Sequence, residues 1–475
     1  MLMYQEEPRL SARFHQFRTS FLQDDGLHFS EVLTEERVEQ AFAEAGVEFH
    51  QDEEDTVYTS AVTLQAFCSQ SLYKAEQRSC LAAVSRIAVM LIALGRKPCA
   101  KNSGDYCRAR AKLSETVIER LTDQVAEGCE HAVSSTWLWH KRHVFLVDGT
   151  TLTMPATEAN QAEYPQNVAQ KPGLGFPIVR MVLLLSLATA MVCGATMGPY
   201  AGKGTGETAL LRKMIGRIEP GAILVADRYY AGFFMFIAAL SGQFGLVARL
   251  HQCRKTDFRK AMRLGAGDYL VRWVRPPCPK WMAQSDYDEI PESLEVRLVD
   301  IEVHEPGFRV KQLTVVTTLT DSDVYPPAEI ADLYRRRWLA ELDIRAIKTT
   351  MGLDVLRCQT PAMVRKEIRS CLLTYNLIRQ AMLEAAYQSG LVPRKLSFAL
   401  AMQTIAASSG MLAVANDELT SRLIAAQLAS LSQQTVGNRP NRVEPRAVKR
   451  RPQPIALLTK PRAEARAELL HGVAA

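Results

Sequence analysis

Two short apolar runs in this chain each end on an aspartate. Val144-Phe145-Leu146-Val147 leads into Asp148-Gly149-Thr150, and Ala222-Ile223-Leu224-Val225-Ala226 leads into Asp227-Arg228-Tyr229-Tyr230. Unbroken apolar stretches of this length predict strands buried on both faces, and a carboxylate just beyond one reaches the rim of the sheet. A similar run, Leu246-Val247-Ala248, ends on Arg249. From Met181 to Gly198 the chain carries 18 residues without a charge, the lower limit for a membrane span. Ser186, Thr189, Cys193, Gly194 and Thr196 interrupt that stretch, so it predicts two buried antiparallel strands turning near Thr189 and Ala190, with no membrane insertion. Alternation at Leu294-Glu295-Val296-Arg297-Leu298-Val299 and Phe308-Arg309-Val310 predicts half-exposed strands, and the run from Leu313 to Thr320 a return to the core sheet. Helical spacing appears from Leu81 to Leu94, closed by Gly95, from Lys112 to Val125, and again from Pro361 to Ser432.

The segment Tyr334-Arg335-Arg336-Arg337-Trp338-Leu339-Ala340-Glu341, running on to Lys348, carries the densest chemistry. On a continuous α-helix, Tyr334, Arg337, Glu341 and Lys348 fall within an arc of roughly 60° along a stripe about 21 Å long. Charges at this spacing are commonly surface ion pairs of little worth. Here Leu333, Trp338, Leu342, Ile344, Ile347 and Met351 occupy the remaining circumference, which predicts a helix covered by protein and a charged stripe kept for a purpose. Trp338 is either a base-stacking ring or core packing. Asp343 lies about 200° from Glu341 around such a helix and is a poor rival to it. Each aspartate taken alone is as compatible with a turn or a helix cap; the set Asp148, Asp227 and Glu341 is more specific. Three carboxylates suit Mg²⁺, which prefers hard oxygen ligands. Two such ions can activate an attacking oxygen and stabilise a leaving one in phosphodiester transfer, with no side-chain nucleophile.

These elements resemble the DDE transposases of the insertion-sequence-four family. The resemblance rests on the DGT and DRYY elements, the tyrosine, arginine, glutamate and lysine series, Lys171-Pro172-Gly173-Leu174-Gly175-Phe176-Pro177-Ile178-Val179-Arg180, and Gly206-Glu207-Thr208. It implies a multidomain chain with an α/β ribonuclease-H-like catalytic core, a β-rich insertion, an all-helical N-terminal domain and a helical C-terminal region. The expected boundaries are 1–140 (helical, DNA-binding), 141–250 and 313–380 (core), 251–312 (insertion), 381–435 (helical) and 436–475 (basic tail). It further implies that Asp148, Asp227 and Glu341 hold two Mg²⁺ ions, with Mn²⁺ able to substitute. Tyr334, Arg337, Lys348 and Arg249 become phosphate or DNA contacts, and double-stranded DNA with a second copy of the chain the partners in a synaptic complex. Relatives that open a DNA hairpin use an insertion-domain aromatic, for which Trp273 and Trp281 are the candidates. The implied activity is metal-dependent cleavage and strand transfer at terminal inverted repeats. A silent DNA-binding regulator on the same scaffold and a stand-alone nuclease are the alternatives.

Length and charge fit that picture. At 475 residues, 47% hydrophobic and 23% charged, the chain suits two to four globular units. The 91 residues between Arg249 and Glu341 exceed what a core connection needs, hence the insertion. Arg254, Lys255, Arg259, Lys260 and Arg263 give it a basic face suited to nucleic acid. From Val436 onward nine Lys or Arg face three Glu, an excess equal to the formal net charge of +6 for the whole chain. With five prolines interspersed, that tail predicts an extended, DNA-contacting segment. Arg86, Arg108, Arg110, Lys112 and Arg120 are available to a DNA backbone in the N-terminal part. Gly202-Lys203-Gly204-Thr205-Gly206 lacks the Walker spacing, so nucleotide hydrolysis is excluded and Lys203 stands as a phosphate contact. Ten cysteines without a CxxC pair read as reduced thiols, not zinc ligands, in a cytoplasmic protein without a secretory leader.

Overall fold

The apolar runs build one mixed sheet of nine strands. In the computed structural model, which describes residues 14–47, 56–254, 256–302, 312–437 and 458–472, these are β1 (Val144–Thr153), β2 (Ile178–Ser186), β3 (Val192–Pro199), β4 (Ile223–Ala226), β5 (Gly245–Arg249), β6 (Met262–Gly265), β7 (Asp268–Val274), β8 (Ser293–Glu302) and β9 (Gln312–Thr317). Their spatial order is β3-β2-β1-β4-β5-β9-β8-β7-β6. β1 pairs antiparallel with β2 and parallel with β4, which pairs parallel with β5. The apolar residues of β1 and all of β4 are buried, as strands covered on both faces require. The uncharged stretch is β2 and β3, with Ala190 at φ 63° in their turn. Among the described residues no helix is long and apolar enough to cross a membrane.

The insertion does not form a sheet of its own. β9 pairs antiparallel with β5 along one edge and with β8 along the other, and β7 and β6 follow, so the inserted strands prolong the central sheet. One buried ion pair fastens this extension. Arg297 of β8, fully buried, grips both carboxylate oxygens of Asp268 at 2.8 and 2.7 Å and also donates to the Tyr325 carbonyl at 2.7 Å. Lys255 and Phe308-Arg309-Val310 lie outside the described residues.

Two compact units divide the chain. One holds Trp139–Leu187, Gly194–Glu341 and Gly437–Ala475, and so most of the sheet. The other is mainly helical and holds Met1–Leu138, Ala188–Cys193 and Leu342–Val436. Within it the helices on both sides in sequence share one axis: Ser60–Leu72, Glu115–His131, Phe398–Leu412 and Asp417–Gln433 all pack on the 29-residue helix Pro361–Ser389. That helix is buried without interruption from 370 to 386, so its polar groups need partners. Asn376 bonds both the N–H and the C=O of Val192, and Asp343 pairs with Arg379 and Arg394 at 2.9 Å each.

Local details differ from the periodicity. Helix Cys80–Ala93 starts on the Ser79 cap and ends at Gly95, φ 72°, but the second N-terminal stretch is two helices, Gly104–Lys112 and Glu115–His131. Several arginines expected on DNA serve the fold. Arg86 donates to Ser69 and Gln77 and lies over Tyr73, Arg110 bonds Gln70 and covers Phe67, and Arg120 pairs with Glu44. The tail ends in a helix, Arg462–Gly472, because Ala-Glu-Ala-Arg-Ala-Glu-Leu-Leu is strongly helix-forming and Pro461 directly precedes it; residues 438–457, with most of its basic side chains, lie outside the described residues.

Arg297→Ala leaves Asp268 buried without its partner, which is expected to cost about 3 to 5 kcal/mol. Thermal or urea unfolding should show a clear loss in the transition of the sheet, and the double variant Asp268→Ala/Arg297→Met should recover part of it. An unchanged midpoint in Arg297→Ala would refute the anchoring role.

Candidate active site

Pairing register places the first two carboxylates. Leu146 of β1 lies opposite Val225 of β4, and Val225 opposite Val247 of β5. Asp148, Asp227 and Arg249 each follow these positions by two residues, so they stand level where the parallel ladder of β1, β4 and β5 ends, about 4.8 Å apart from strand to strand. Asp148 is in mid-strand, because β1 runs on to Thr153 beside β2, and not beyond its strand as the apolar run predicts. Such ends are where open α/β sheets receive ligands. Asp148 is 22% exposed at its side chain and accepts the Gly149 N–H at 2.9 Å. Asp227 caps the short turn Arg228–Tyr230, its carbonyl accepting the Tyr230 N–H.

The glutamate arrives on a helix that is not continuous. Helix Pro327–Arg335 stops, residues 336 and 337 form a turn, and a new helix runs from Trp338 to Arg345. Across the break the N–H groups of Arg337, Leu339 and Ala340 bond carbonyls three residues back, which winds the chain more tightly than an α-helix. The expected straight stripe is thereby lost, although its central pair survives. Arg337 donates to Glu341 at 2.8 Å and reaches Asp148 at 4.0 Å. Tyr334 is 8% exposed. Its phenol is pushed up to about 12 by burial and by Asp227, against Arg337 and Arg249. Trp338 and Leu342, expected to be covered, are 53% and 42% exposed. Asp343 is buried between its two arginines, whereas Glu341 keeps 37% of its side chain exposed. Lys348 belongs to the helical unit, where it sits half-buried in a π-helical turn, Ala346–Thr350.

A fourth carboxylate, Glu207, joins this neighbourhood. It opens the short helix Glu207–Arg212, lies directly on Gly149, and accepts a hydrogen bond from the Tyr230 hydroxyl at 3.3 Å. Asp148 is pushed up to about 6, first by burial and then by Glu341 and Glu207, against the Gly149 N–H and Arg337. The Tyr230 phenol is raised by burial and then by Glu207, Asp148 and Asp227. The resemblance marked Gly206-Glu207-Thr208 as a loop near the site without giving Glu207 a role, and nothing in its spacing does so. Lys203 is exposed on the preceding loop.

Among the described residues no three His, Cys, Asp or Glu side chains converge closely enough to hold a metal ion as they stand. The donor chemistry nonetheless suits a hard divalent cation, and the positive charge now between Asp148 and Glu341 is the Arg337 guanidinium. Of the two insertion tryptophans, Trp273 is 5% exposed, packed on Phe236 beneath Arg254. Trp281 is 49% exposed, with Arg212 over its ring. It lines a cavity of about 240 Å³ with Thr208, Arg212, Tyr229, Tyr230 and Phe234.

Residues 139–377, just over half of the chain, match the family model of the transposase DDE domain. Over 376 residues the chain is 27% identical to the transposase InsG of insertion sequence element IS4 from Escherichia coli K12, covering 78% of this chain and 80% of that one. Among solved structures it is similar to a piggyBac transposase in a synaptic complex with hairpin DNA, at a TM-score of 0.44 and 10% identity, covering 89% of this chain and 87% of that one. The family match spans β1, β4 and the Glu341 helix together, and with the IS4 relative it shows that the chain belongs to the DDE transposases of the IS4 family, enzymes of DNA cleavage and strand transfer.

Proposed function

We propose that this chain binds the terminal inverted repeats of an insertion sequence and moves that element by cut-and-paste transposition, with Asp148, Asp227 and Glu341 as its metal ligands. The observation that carries this reading is the level placement of Asp148 and Asp227 on adjacent parallel strands, with Arg337 linking Asp148 to Glu341. The order β3-β2-β1-β4-β5, with β2 running against β1 and β4 and β5 along it, supports a ribonuclease-H-like core.

Divalent ions, Mg²⁺ by preference and two in number, would supply activation of the attacking oxygen and stabilisation of the leaving one. The protein supplies position and charge. Asp148 and Asp227 present hard oxygens from a rigid sheet end. Glu341 is oriented by the Arg337 fork, and that guanidinium also offers planar recognition to a phosphate. Arg249, one strand beyond Asp227, and Tyr334 are the further contacts for backbone oxygens. Lys348 and Lys203 contribute point charges to the DNA backbone, and two copies of the chain hold two ends in the synaptic complex. Three acidic residues retained at the site argue against a silent regulator, and joining of ends separates a transposase from a nuclease.

Purified protein is incubated with DNA carrying its own element's ends and Mg²⁺ or Mn²⁺. Asp148→Ala, Asp227→Ala and Glu341→Ala are each expected to lose at least about 10³-fold in cleavage and joining while retaining end binding in gel shift. Cleavage that survives all three substitutions would overturn the assignment, cleavage without joining would favour the nuclease, and binding without cleavage by the wild type would favour the regulator.

Asp148 also predicts a stability effect. Its folded pKa lies above the ordinary carboxylate value, so ionising it opposes folding: the cost is absent below about 3.8, grows as pH rises toward about 6, and is fully present at pH 7. Metal-free Asp148→Asn is therefore expected to be more stable than wild type at pH 7 by on the order of 2 kcal/mol, and no more stable at pH 4. Mg²⁺ should raise the melting temperature of wild type more than that of the variant. Equal melting of the two proteins at pH 7 without metal would contradict the burial argument.

A further inference from the structure

The Glu207 carboxyl occupies the space that a side chain at position 149 would need. A Cβ built on Gly149 would come within 2.7 Å of Glu207 Cγ and overlap the carboxyl group itself. Glu207 is therefore seated on the residue that follows Asp148. Its other contact is with the second aspartate's segment: Tyr230, 1% exposed, donates its hydroxyl to Oε2 at 3.3 Å, and the same residue's N–H closes the turn on the Asp227 carbonyl at 3.0 Å. Glycine at 149, tyrosine at 230 and glutamate at 207 are thus three parts of one contact.

We infer that Glu207 is a positioning residue that ties the Asp148 segment to the Asp227 segment through Gly149 and the Tyr230 hydroxyl, setting the separation of the two aspartates. Its effect on the reaction rests on the reading of those aspartates given above. Glu207 acts through its neighbours and is not itself a metal ligand, since Oε2 is engaged by Tyr230 and the rest of the carboxyl lies against backbone. The chemistry required at 207 is an acceptor of glutamate's length, which glutamine also provides.

The test compares Glu207→Ala, Glu207→Gln, Tyr230→Phe, Gly149→Ala and two double variants with wild type. The readouts are single-turnover cleavage of end DNA and Mn²⁺ binding to the DNA-free protein by electron paramagnetic resonance, with thermal melts as the check on folding. Glu207→Ala, Tyr230→Phe and Gly149→Ala should each weaken Mn²⁺ binding and slow cleavage by about 10- to 100-fold. Glu207→Gln should recover most of that loss. Glu207→Ala/Tyr230→Phe and Gly149→Ala/Glu207→Ala should be no worse than Glu207→Ala, because members of one contact do not add.

Wild-type behaviour of Glu207→Ala beside an inactive Asp148→Ala overturns the positioning role alone. Glu207→Gln as inactive as Asp148→Ala, with Mn²⁺ binding lost, overturns it in favour of a direct ligand. Full cleavage by both Asp148→Ala and Asp227→Ala removes the underlying active-site reading and this inference with it.

Discussion

The parallel pairing of β1 with β4, and of β4 with β5, is the constraint on which the site depends. Side chains alternate along a strand, so a slip of one residue in either ladder would turn Asp148 or Asp227 to the opposite face and move it out of line with its neighbour. What prevents the slip is burial. Phe145, Leu146, Val147, Leu224, Val225 and Val247 are at most 3% exposed, so both faces of the ladders are close-packed, and a shifted register would set side chains of the wrong size and shape into each position. The hydrophobic core and the acidic cluster are therefore specified by the same pairing.

Concentrating carboxylates at the end of a buried sheet has an electrostatic cost, visible in Asp148. Burial and the proximity of Glu341 and Glu207 lift its pKa to about 6, the condition expected where a site is arranged for chemistry and not for stability. Arg337 offsets part of that cost from inside the cluster, holding Glu341 directly and Asp148 at longer range. One guanidinium thus supplies positive charge to two carboxylates through a planar fork, a geometry lysine does not reproduce.

What could be read from the chain follows the range of the interactions concerned. The strands that lead to Asp148 and Asp227 were legible because an unbroken apolar run such as Val144–Val147 has few interpretations other than a buried strand. The β2–β3 pair was legible because its polar interruptions excluded a membrane span. Glu207 was not, since its role exists only when Gly149 and Tyr230, far away in sequence, are brought to it. The break at Arg336 and Arg337 was missed for a related reason: three successive arginines fit an α-helix well, and tertiary context selected the tighter turn. Arg86 and Arg110 looked like DNA contacts because a cation's type is visible in sequence while its partner is not. Of the inserted strands β8 was recognisable by alternation, but its union with the central sheet depended on β9 pairing along both edges.

Glu341 and Asp343 carry the same charge two residues apart, yet their surroundings differ. Asp343 is 2% exposed and held by Arg379 and Arg394, so removing it would take the carboxylate away from a buried and a half-buried cation, and its charge is committed to folding. Glu341 pairs, among the described residues, with Arg337 and keeps over a third of its side chain exposed. On a helix, residues two apart face different ways, so two carboxylates in one short segment meet different surroundings. Neither residue type nor spacing alone separates the two; the partners each carboxylate already holds do.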